Sequence, residues 1–257
     1  MNFKTKSILV LATALVGTAA MSQTAAPEAP AAPESTLSFN VGVTSDYRFR
    51  SMSQTSFKPA LQAGVDYAHK SGVYVGVWAS NVNWIKDYIG ATEGSLEVDL
   101  YGGYKGEIAK DFTFDIGVIT YQYPSNTADK VTVNANTNEI YAALTYGIVT
   151  AKYSQSTGNF IANTNSQGSR YFELAAAFDL GNGYSLTPHV GSQTIPNQVG
   201  NAGDCIDFSL ALGKDFGGGL TGSLTAYSTD AKDSFYKVGT FDNIGRNGVA
   251  VGVKYTF

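Results

Sequence analysis

The chain ends in the stretch NGVAVGVKYTF, Asn247 to Phe257, and this stretch decides the fold. Every second residue from Val249 to Phe257 is large and apolar, and the residues between them are small or polar. A period of two is typical of a β-strand with one apolar face. A frayed terminus has no need of such a pattern. The tail is therefore predicted to be a strand paired into a sheet.

The same period recurs from residue 35 to the end of the chain and predicts twelve strands. One face of each predicted strand is apolar and uncharged, whereas the other carries small, hydroxylated and charged residues. Pro188 makes the ninth strand the weakest of the set, because proline cannot donate to a hydrogen-bond ladder. Short connections, such as Gly181–Gly183, alternate with long ones, such as the segment near Pro124–Asn138. This alternation predicts an up-and-down antiparallel meander.

The composition narrows the class of protein. Charged residues make up 15% of the 257 residues, well below the roughly 25% of soluble domains. The net charge of −4 argues against nucleic acid as a partner. The single cysteine, Cys205, cannot form an intramolecular disulfide or a thiolate metal site. Beyond the N-terminus no run approaches the ~18 apolar residues of a membrane helix, so any membrane span must consist of strands.

The N-terminus predicts export. Lys4 and Lys6 precede the apolar run Ser7–Ala20, which is followed by small residues suited to cleavage. Residues 1–22 are therefore predicted to be a signal peptide, and a buried N-terminal helix is the alternative. Residues 23–35 form a linker rich in proline and alanine. Residues 36–257 form the predicted β-domain.

A soluble sandwich also alternates polar and apolar residues, but four features favour a barrel in lipid. They are the export signal without disulfides, the regular asymmetry of loop lengths, the terminal Phe257, and aromatic residues at both strand ends, as in the interfacial girdles of membrane barrels. The aromatic residues beside the short turns are Tyr67, Tyr104, Phe112, Tyr146, Phe178, Phe216 and Tyr255, and those near the long loops are Tyr47, Phe49, Trp84, Tyr88, Tyr121 and Tyr123. The predicted fold is all-β: a transmembrane up-and-down antiparallel β-barrel of about 12 strands, with both termini on the periplasmic side.

The segment NVGVTSDYRFRSMSQTSFKPALQAGVDYAHKSGVYVGVWASNVNW, Asn40 to Trp84, resembles the TorF-type porins of Gram-negative bacteria. Those proteins have a similar SDYRFRG-S-T segment followed by P-QGG-DY-H-SG-Y-G-WASN. Ser51 departs from the pattern, since glycine is usual there, and the departure bears on turn geometry. The resemblance implies a cell outer-membrane barrel with a porin-like role. A terminal aromatic also resembles the assembly signal of such barrels, which assigns that role to Tyr255 and Phe257 and implies the barrel assembly machinery and outer-membrane lipid as partners.

The candidate functional residues are charged groups on the polar face or at the mouth of the predicted barrel. The predicted lumen-lining residues are Asp46, Arg48, Asp66, Glu97, Asp99, Asp115, Lys152, Glu173, His189, Asp207 and Lys254. Glu97, Asp99 and Asp115 could instead pair with basic residues or hold Ca²⁺; neither a metal nor a cofactor is predicted. His189 is interpreted as a solvated lumen histidine, and a hydrolytic triad with Ser185 and Asp207 is the less favoured alternative.

The motif SDYRFR places Asp46, Arg48 and Arg50 at the top of the first strand. The favoured interpretation is a set of interior charges near the mouth, paired with acids across it. The alternative is a constriction or a substrate clamp.

The leading functional hypothesis is a channel for passive diffusion of small hydrophilic solutes or ions. The strand-interior polar face carries seven acids and two lysines, which predicts a weak preference for cations. A barrel plugged by its own side chains and loops, with a structural or adhesive role, is the second hypothesis. An enzyme is the third and is not expected. The sequence leaves the oligomeric state open.

Overall fold

The computed structural model describes residues 33–257 and shows a closed antiparallel β-barrel. The strands are, in chain order, β1 (Ser35–Thr44), β2 (Arg48–Phe49), β3 (Met52–Ser53), β4 (Ala60–His69), β5 (Val73–Asn81), β6 (Leu96–Ala109), β7 (Phe112–Gln122), β8 (Thr137–Tyr146), β9 (Val149–Ser156), β10 (Arg170–Ala176), β11 (Phe178–Gly181), β12 (Tyr184–Thr194), β13 (Cys205–Gly217), β14 (Leu220–Thr229) and β15 (Gly248–Thr256). The signal peptide predicted for residues 1–22, and residues 23–32 of the predicted linker, lie outside the described residues.

The wall consists of twelve strands, because β10 and β11 are the two halves of one strand and β2 and β3 form a separate hairpin. Each wall strand pairs with its neighbours along the chain, and β15 pairs with β1 to close the barrel. The register of this seam runs from Asn40 opposite Thr256 to Thr44 opposite Gly252. The predicted twelve-stranded meander and the predicted pairing of the tail are both confirmed.

Pro188 lies in β12 opposite the break between β10 and β11. The pairing of β10 with β12 ends at Ala175 opposite His189, and pairing resumes at Phe178 opposite Leu186. A proline has no N–H to donate to the ladder. The interruption of the strand at this point is the structural consequence of that missing donor.

The two faces of the wall differ as the period of two predicts. The apolar side chains point outward, and many are largely exposed: Leu61 is 62% exposed and Val251 is 55% exposed. The alternate residues point inward and are mostly polar, as in Gln62, Asp66 and Asp207. An exposed apolar band of this extent is unfavourable in water and favourable in hydrocarbon.

The aromatic residues beside the short turns lie on the outer face as predicted, whereas those near the long loops do not. The seven aromatic residues beside the short turns lie on the outer face, exposed or half-buried. The six near the long loops are all buried within one cluster at the opposite end. The prediction that these six face the membrane interface is therefore wrong. They pack against one another because the long loops fold inward over the lumen.

The long connections share one end of the barrel, here named the loop end, and the short turns share the other, named the turn end. Two short helices, α1 (Trp84–Asp87) and α2 (Asp233–Tyr236), lie in the long connections, as do the 3-10 helices Ala128–Lys130 and Val199–Asn201. Within residues 33–257, none of these helices has the length and apolar character needed to cross a membrane.

Phe257 completes the seam of the barrel at the turn end. Its backbone N–H donates to the Phe39 carbonyl oxygen at 2.9 Å, and the Phe39 N–H donates back at 2.8 Å. Its ring stacks on Phe39 and on Tyr255, with centroids 5.8 Å apart in each case.

Replacing Phe257 with alanine is expected to lower the yield of assembled barrel, because two aromatic contacts of about 0.5–1.5 kcal/mol each are lost at the closing seam. The yield is measured as the fraction of protein that stays folded in SDS without heating. Thr256→Ala is the matched control, since Thr256 lies one position earlier on the opposite face. Equal yields for the two variants would contradict a role of the terminal ring in assembly.

Candidate functional site

The first long connection, residues 45–59 and here named the inward loop, folds into the lumen. Residues from Asp46 to Thr55 are buried, apart from the half-buried Arg50. The hairpin of β2 and β3 lies at the centre of this loop, with Arg48 opposite Ser53 and Phe49 opposite Met52. The loop thus carries the SDYRFR motif away from the rim and into the barrel.

The hairpin turns at Arg50 and Ser51, and both residues have positive φ, 48° and 62°. Two consecutive residues of this kind are typical of a type I′ turn, which favours Asn-Gly. A residue other than glycine held in this conformation costs on the order of 1–3 kcal/mol. The cost must be offset by contacts that the two side chains make elsewhere in the lumen.

Asp46 and Arg48 brace the base of the inward loop. Arg48 Nε donates to Asp46 Oδ2 at 2.7 Å, and Ser53 Oγ donates to Asp46 Oδ1 at 2.6 Å. Arg48 Nη1 also donates to the Arg246 carbonyl oxygen at 2.8 Å, which joins the inward loop to the last long connection. These two residues were predicted to line the lumen. They lie inside it, but their contacts shape the loop.

Arg50 anchors the tip of the loop to distant walls of the barrel. Its Nη2 donates to both carboxylate oxygens of Glu139 on β8, at 2.9 and 2.7 Å. Its Nη1 donates to Gln193 Oε1 on β12 at 2.6 Å. The loop therefore spans the lumen from β1 to strands on other parts of the wall.

The surroundings of Arg50 are aromatic as well as acidic. Its guanidinium carbon lies 4.3 Å from the ring centroid of Tyr171, 4.6 Å from that of Phe49 and 5.2 Å from that of Phe160. Burial disfavours the charged form, but the Glu139 carboxylate outweighs that effect, so the pKa of Arg50 is raised. Arg50 is thus a permanent cation in a desolvated site.

Ser51 connects the loop to a second group of wall residues centred on Asp207. Ser51 Oγ donates to Asp207 Oδ1 at 2.8 Å, and Tyr171 Oη donates to Asp207 Oδ2 at 2.8 Å. His189 Nε2 lies 3.1 Å from Glu173 Oε2, and its Nδ1 lies 3.7 Å from Asp207 Oδ1. Four neighbouring strands, β9, β10, β12 and β13, contribute to this group once Lys152, 4.0 Å from Glu173, is included.

Gly191 has no side chain, and Tyr171 and Asp207 occupy the space that a side chain there would fill. A methyl group added there would lie 1.9 Å from Tyr171 Oη and 2.6 Å from Asp207 Oδ2. Gly191→Ala is therefore expected to displace both side chains and destabilise the barrel by about 1–3 kcal/mol. Gly158→Ala is the control, because no atom lies within 4 Å of that position. Urea-induced unfolding of both variants in lipid vesicles measures the difference, and equal midpoints would contradict this packing.

The opposite wall carries acids held by tyrosine hydroxyl groups. Tyr101 Oη donates to Asp66 Oδ1 at 2.5 Å, and Tyr74 Oη donates to Asp115 Oδ1 at 2.5 Å. Tyr141 Oη is in hydrogen-bond contact with Tyr74 Oη. These hydroxyl groups stabilise the carboxylates without adding positive charge to the lumen.

Glu97 and Asp99 are each 1% exposed, just beneath the loops. Glu97 Oε1 accepts a hydrogen bond from Tyr47 Oη at 2.9 Å. Asp115 lies opposite Lys105 on β6, eight residues from Glu97 along that strand, which is roughly 26 Å at ~3.3 Å per residue. The three carboxylates weighed as Ca²⁺ ligands are therefore not brought together.

The alternative of a hydrolytic triad also fails on geometry. Ser185 and His189 lie four residues apart on β12, a separation of about 13 Å in a strand. His189 instead contacts Glu173 and Tyr171, whose hydroxyl oxygen lies 3.3 Å from Nε2. The histidine is part of the polar lumen, with a side chain 16% exposed.

The predicted lumen-lining residues outside the inward loop all lie on the inner face of the wall. They are Asp66, Glu97, Asp99, Asp115, Lys152, Glu173, His189, Asp207 and Lys254. The predicted lumen-lining set omitted Ser51, Glu139, Tyr171 and Gln193, which form the contact between loop and wall together with Arg50. The interpretation of Arg50 as an interior charge paired with an acid across the barrel agrees with its contact to Glu139. Glu139 could have been predicted to face inward, because it is the neighbour of the outward-facing Ile140 in β8 and adjacent residues of a strand face opposite sides.

The loop end is closed over by an apolar cluster. Trp84 and Ile85 of α1 are 4% and 0% exposed, and they pack with Tyr123 and Ala128 from the next long connection. Phe49 of the inward loop and Phe160 of a further long connection join the same cluster. The mouth of the barrel is therefore covered by loops with a hydrophobic core of their own.

Residues 28–257 match a family model described as a bacterial protein of unknown function, Gcw_chp. The chain belongs to the Gcw_chp family. The description of that family does not mention TorF-type porins, so that finer resemblance stays a prediction. A search among curated proteins gave no match for this Gcw_chp chain.

Solved structures share the fold of the Gcw_chp chain. It superposes on the NanC porin with a TM-score of 0.54 and 10% identity, over 86% of this chain and 99% of that one. An outer-membrane channel of the COG4313 group from Pseudomonas putida F1 gives a TM-score of 0.49 and 11% identity, over 91% and 99%. The first of these likenesses shows that the chain shares the β-barrel fold of that porin; the second is too weak to add to it.

Proposed function

We propose that the Gcw_chp chain is a porin-like channel of the Gram-negative outer membrane that passes small hydrophilic solutes or ions by diffusion. The inward loop is its constriction. The TorF-type resemblance of Asn40–Trp84 and the shared fold with the NanC porin support this role. Export by the predicted signal peptide, contact with outer-membrane lipid and recognition by the assembly machinery belong to the same proposal.

One observation carries it: inward-facing charged side chains of the wall beside the inward loop remain partly exposed. Glu173, Lys152 and His189 keep 28%, 19% and 16% of their side-chain surface accessible. Because these residues face inward, that surface borders space within the barrel. Glu139 and Asp207, which the inward loop contacts directly, are 2% and 0% exposed. The lumen is therefore filled where the loop contacts the wall and keeps accessible space beside those contacts.

A weak preference for cations is a further prediction, and it rests on the count of charged residues on the inner faces of the strands. The inward loop brings Asp46, Arg48 and Arg50 into the lumen. Lys105 and Glu139 also face inward, from β6 and β8, so three bases and two acids join the count and its excess of acids falls by one. The reversal potential in a KCl gradient tests the preference. A potential of the sign given by chloride permeation would contradict it.

A plugged structural or adhesive barrel is the second candidate, and the apolar cluster over the loop end favours it. The two candidates differ in a simple observable. Proteoliposomes carrying an open channel swell in an isotonic sugar, whereas those carrying a plugged barrel do not. Enzymatic activity is not expected for either candidate.

Planar-bilayer recording of the purified, refolded protein tests the proposal directly. Discrete conductance steps of small size are expected, because water and ions must pass a loop that spans the lumen. Protein shown to be folded and inserted, yet without conductance and without vesicle swelling, would leave the plugged barrel as the function.

A further inference from the structure

Arg50 lies in a pocket with the features of a binding site for a free guanidinium ion. We propose that the lumen site formed by Glu139, Gln193, Tyr171 and Phe160 takes an organic cation bearing a guanidinium group, and that Arg50 occupies this site as a tethered substitute. The inference rests on the proposed function, because it names the class of solute that the constriction recognises.

The polar part of the site belongs to the wall and is held in place independently of the loop. Tyr121 Oη donates to Glu139 Oε2 at 3.2 Å, which orients the carboxylate. Gln193 Nε2 donates to the carbonyl oxygens of Arg170 and Thr194, at 2.9 and 3.2 Å. This fixes the amide so that its Oε1 points to the guanidinium of Arg50. Withdrawal of the loop leaves a carboxylate and an amide oxygen already arranged to accept N–H donors.

The apolar part of the site also persists without the loop. Tyr171 is on β10 and Phe160 is in the connection of residues 157–169, so both rings stay when Arg50 and Phe49 leave. Rings within about 6 Å of a cation stabilise it through their negative faces. A planar guanidinium can stack on such rings while its N–H groups donate to a carboxylate. An ammonium ion lacks the planar fork and makes these contacts less completely.

The backbone conformation of the inward loop disfavours the position in which Arg50 fills the site. Arg50 and Ser51 both have positive φ, which stores strain at the tip of the hairpin. Arg50 is tethered to the barrel and competes for the site at an effective concentration of at least the roughly millimolar value of a short flexible link. A free guanidinium compound must therefore reach similar concentrations to displace Arg50 from the wild-type site, whereas a vacated site binds it without competition.

Arg50→Ala vacates the site, and methylguanidinium chloride is the probe. The expected result is that the probe raises the melting temperature of detergent-solubilised Arg50→Ala and reduces its conductance in a bilayer. KCl at equal ionic strength and the neutral N-methylurea should produce neither effect. The wild-type protein should respond at least about tenfold less at the same probe concentration, because its own Arg50 competes.

The carboxylate is tested with a second substitution. In Arg50→Ala/Glu139→Gln the probe should bind at least about tenfold more weakly, since a charge-assisted hydrogen bond is lost. Arg50→Ala/Glu93→Gln is the matched control, because Glu93 is an exposed acid in a long connection, and it should keep the full response. If Arg50→Ala does not fold, Arg50→Gln, which keeps most of the side-chain length, replaces it.

The outcomes separate this inference from the proposed function. Conductance of Arg50→Ala without any response to methylguanidinium overturns the guanidinium site and leaves the channel intact. A rise in melting temperature that depends on Glu139, in a protein that never conducts, supports the site and overturns the channel. An equal response to N-methylurea also overturns the site, because the neutral molecule makes no charge-assisted contact.

Discussion

Replacement of Arg50 by alanine is expected to raise the unitary conductance of the proposed channel. The substitution leaves the Glu139 carboxylate buried without its cation, 2% exposed in the structure. Breaking a buried pair on one side costs about 3–5 kcal/mol. Withdrawal of the inward loop lets water reach Glu139 and relieves most of that cost. The equilibrium should therefore shift toward the withdrawn loop by roughly 10²-fold or more.

The measurement is single-channel recording in planar bilayers, with the step size compared between variants. Arg170→Ala is the matched control: it also removes one positive charge at the loop end, but Arg170 is an exposed residue. Arg50→Lys should fall between wild type and Arg50→Ala, because an ammonium group keeps the charge without the planar fork. An Arg50→Ala step equal to that of the wild type would contradict the role of Arg50 as the anchor.

A charge on the outer face should have the second large effect. Leu210 in the middle of β13 is 47% exposed and faces outward. An arginine at the centre of the lipid-facing band costs about 2–4 kcal/mol. Leu210→Arg is therefore expected to unfold at a clearly lower urea concentration than the wild type in phospholipid vesicles. Tryptophan fluorescence follows the transition, since Trp84 is buried in the apolar cluster at the loop end.

Ser209→Arg is the control at the neighbouring position. Ser209 is half-buried on the inner face, two residues from Asp207. An arginine there meets water and carboxylates, so its cost should be smaller than that of Leu210→Arg. If Ser209→Arg were the more damaging substitution, the assignment of the two faces would be reversed.

The wall of the barrel can be predicted from the sequence because the alternation of residues within each strand shows which side faces outward. In the tail, Val249, Val251 and Val253 alternate with small or polar residues, and all three face outward in the structure. The same alternation also gives the correct face for residues that were predicted to lie on the other one. Tyr121 has the opposite parity to Val118, and its ring is buried inside, not placed in the outer girdle. Parity is therefore better evidence than proximity to a loop.

The inward loop could not be predicted in the same way. The period of two stops at Thr44, and the contacts that place Arg50 reach across 89 residues to Glu139 and 143 residues to Gln193. No local pattern encodes pairings at such separations. Two local signals were present. The charges of SDYRFR were interpreted as interior groups paired with acids across the barrel, and Ser51 stands where the resembling porins have glycine; its φ of 62° shows that the position is the tip of a tight turn.

In the proposed channel a polar lumen runs through the barrel, and the inward loop, whose Phe49 belongs to the apolar cluster over the loop end, narrows it. The most direct test replaces residues 47–57 with a short glycine–serine turn and compares the conductance of this variant with that of the wild type. Small steps are expected for the wild type and clearly larger steps for the shortened variant. Folded, inserted barrels of the shortened variant that conduct no better than the wild type, or not at all, would contradict a constriction formed by the inward loop.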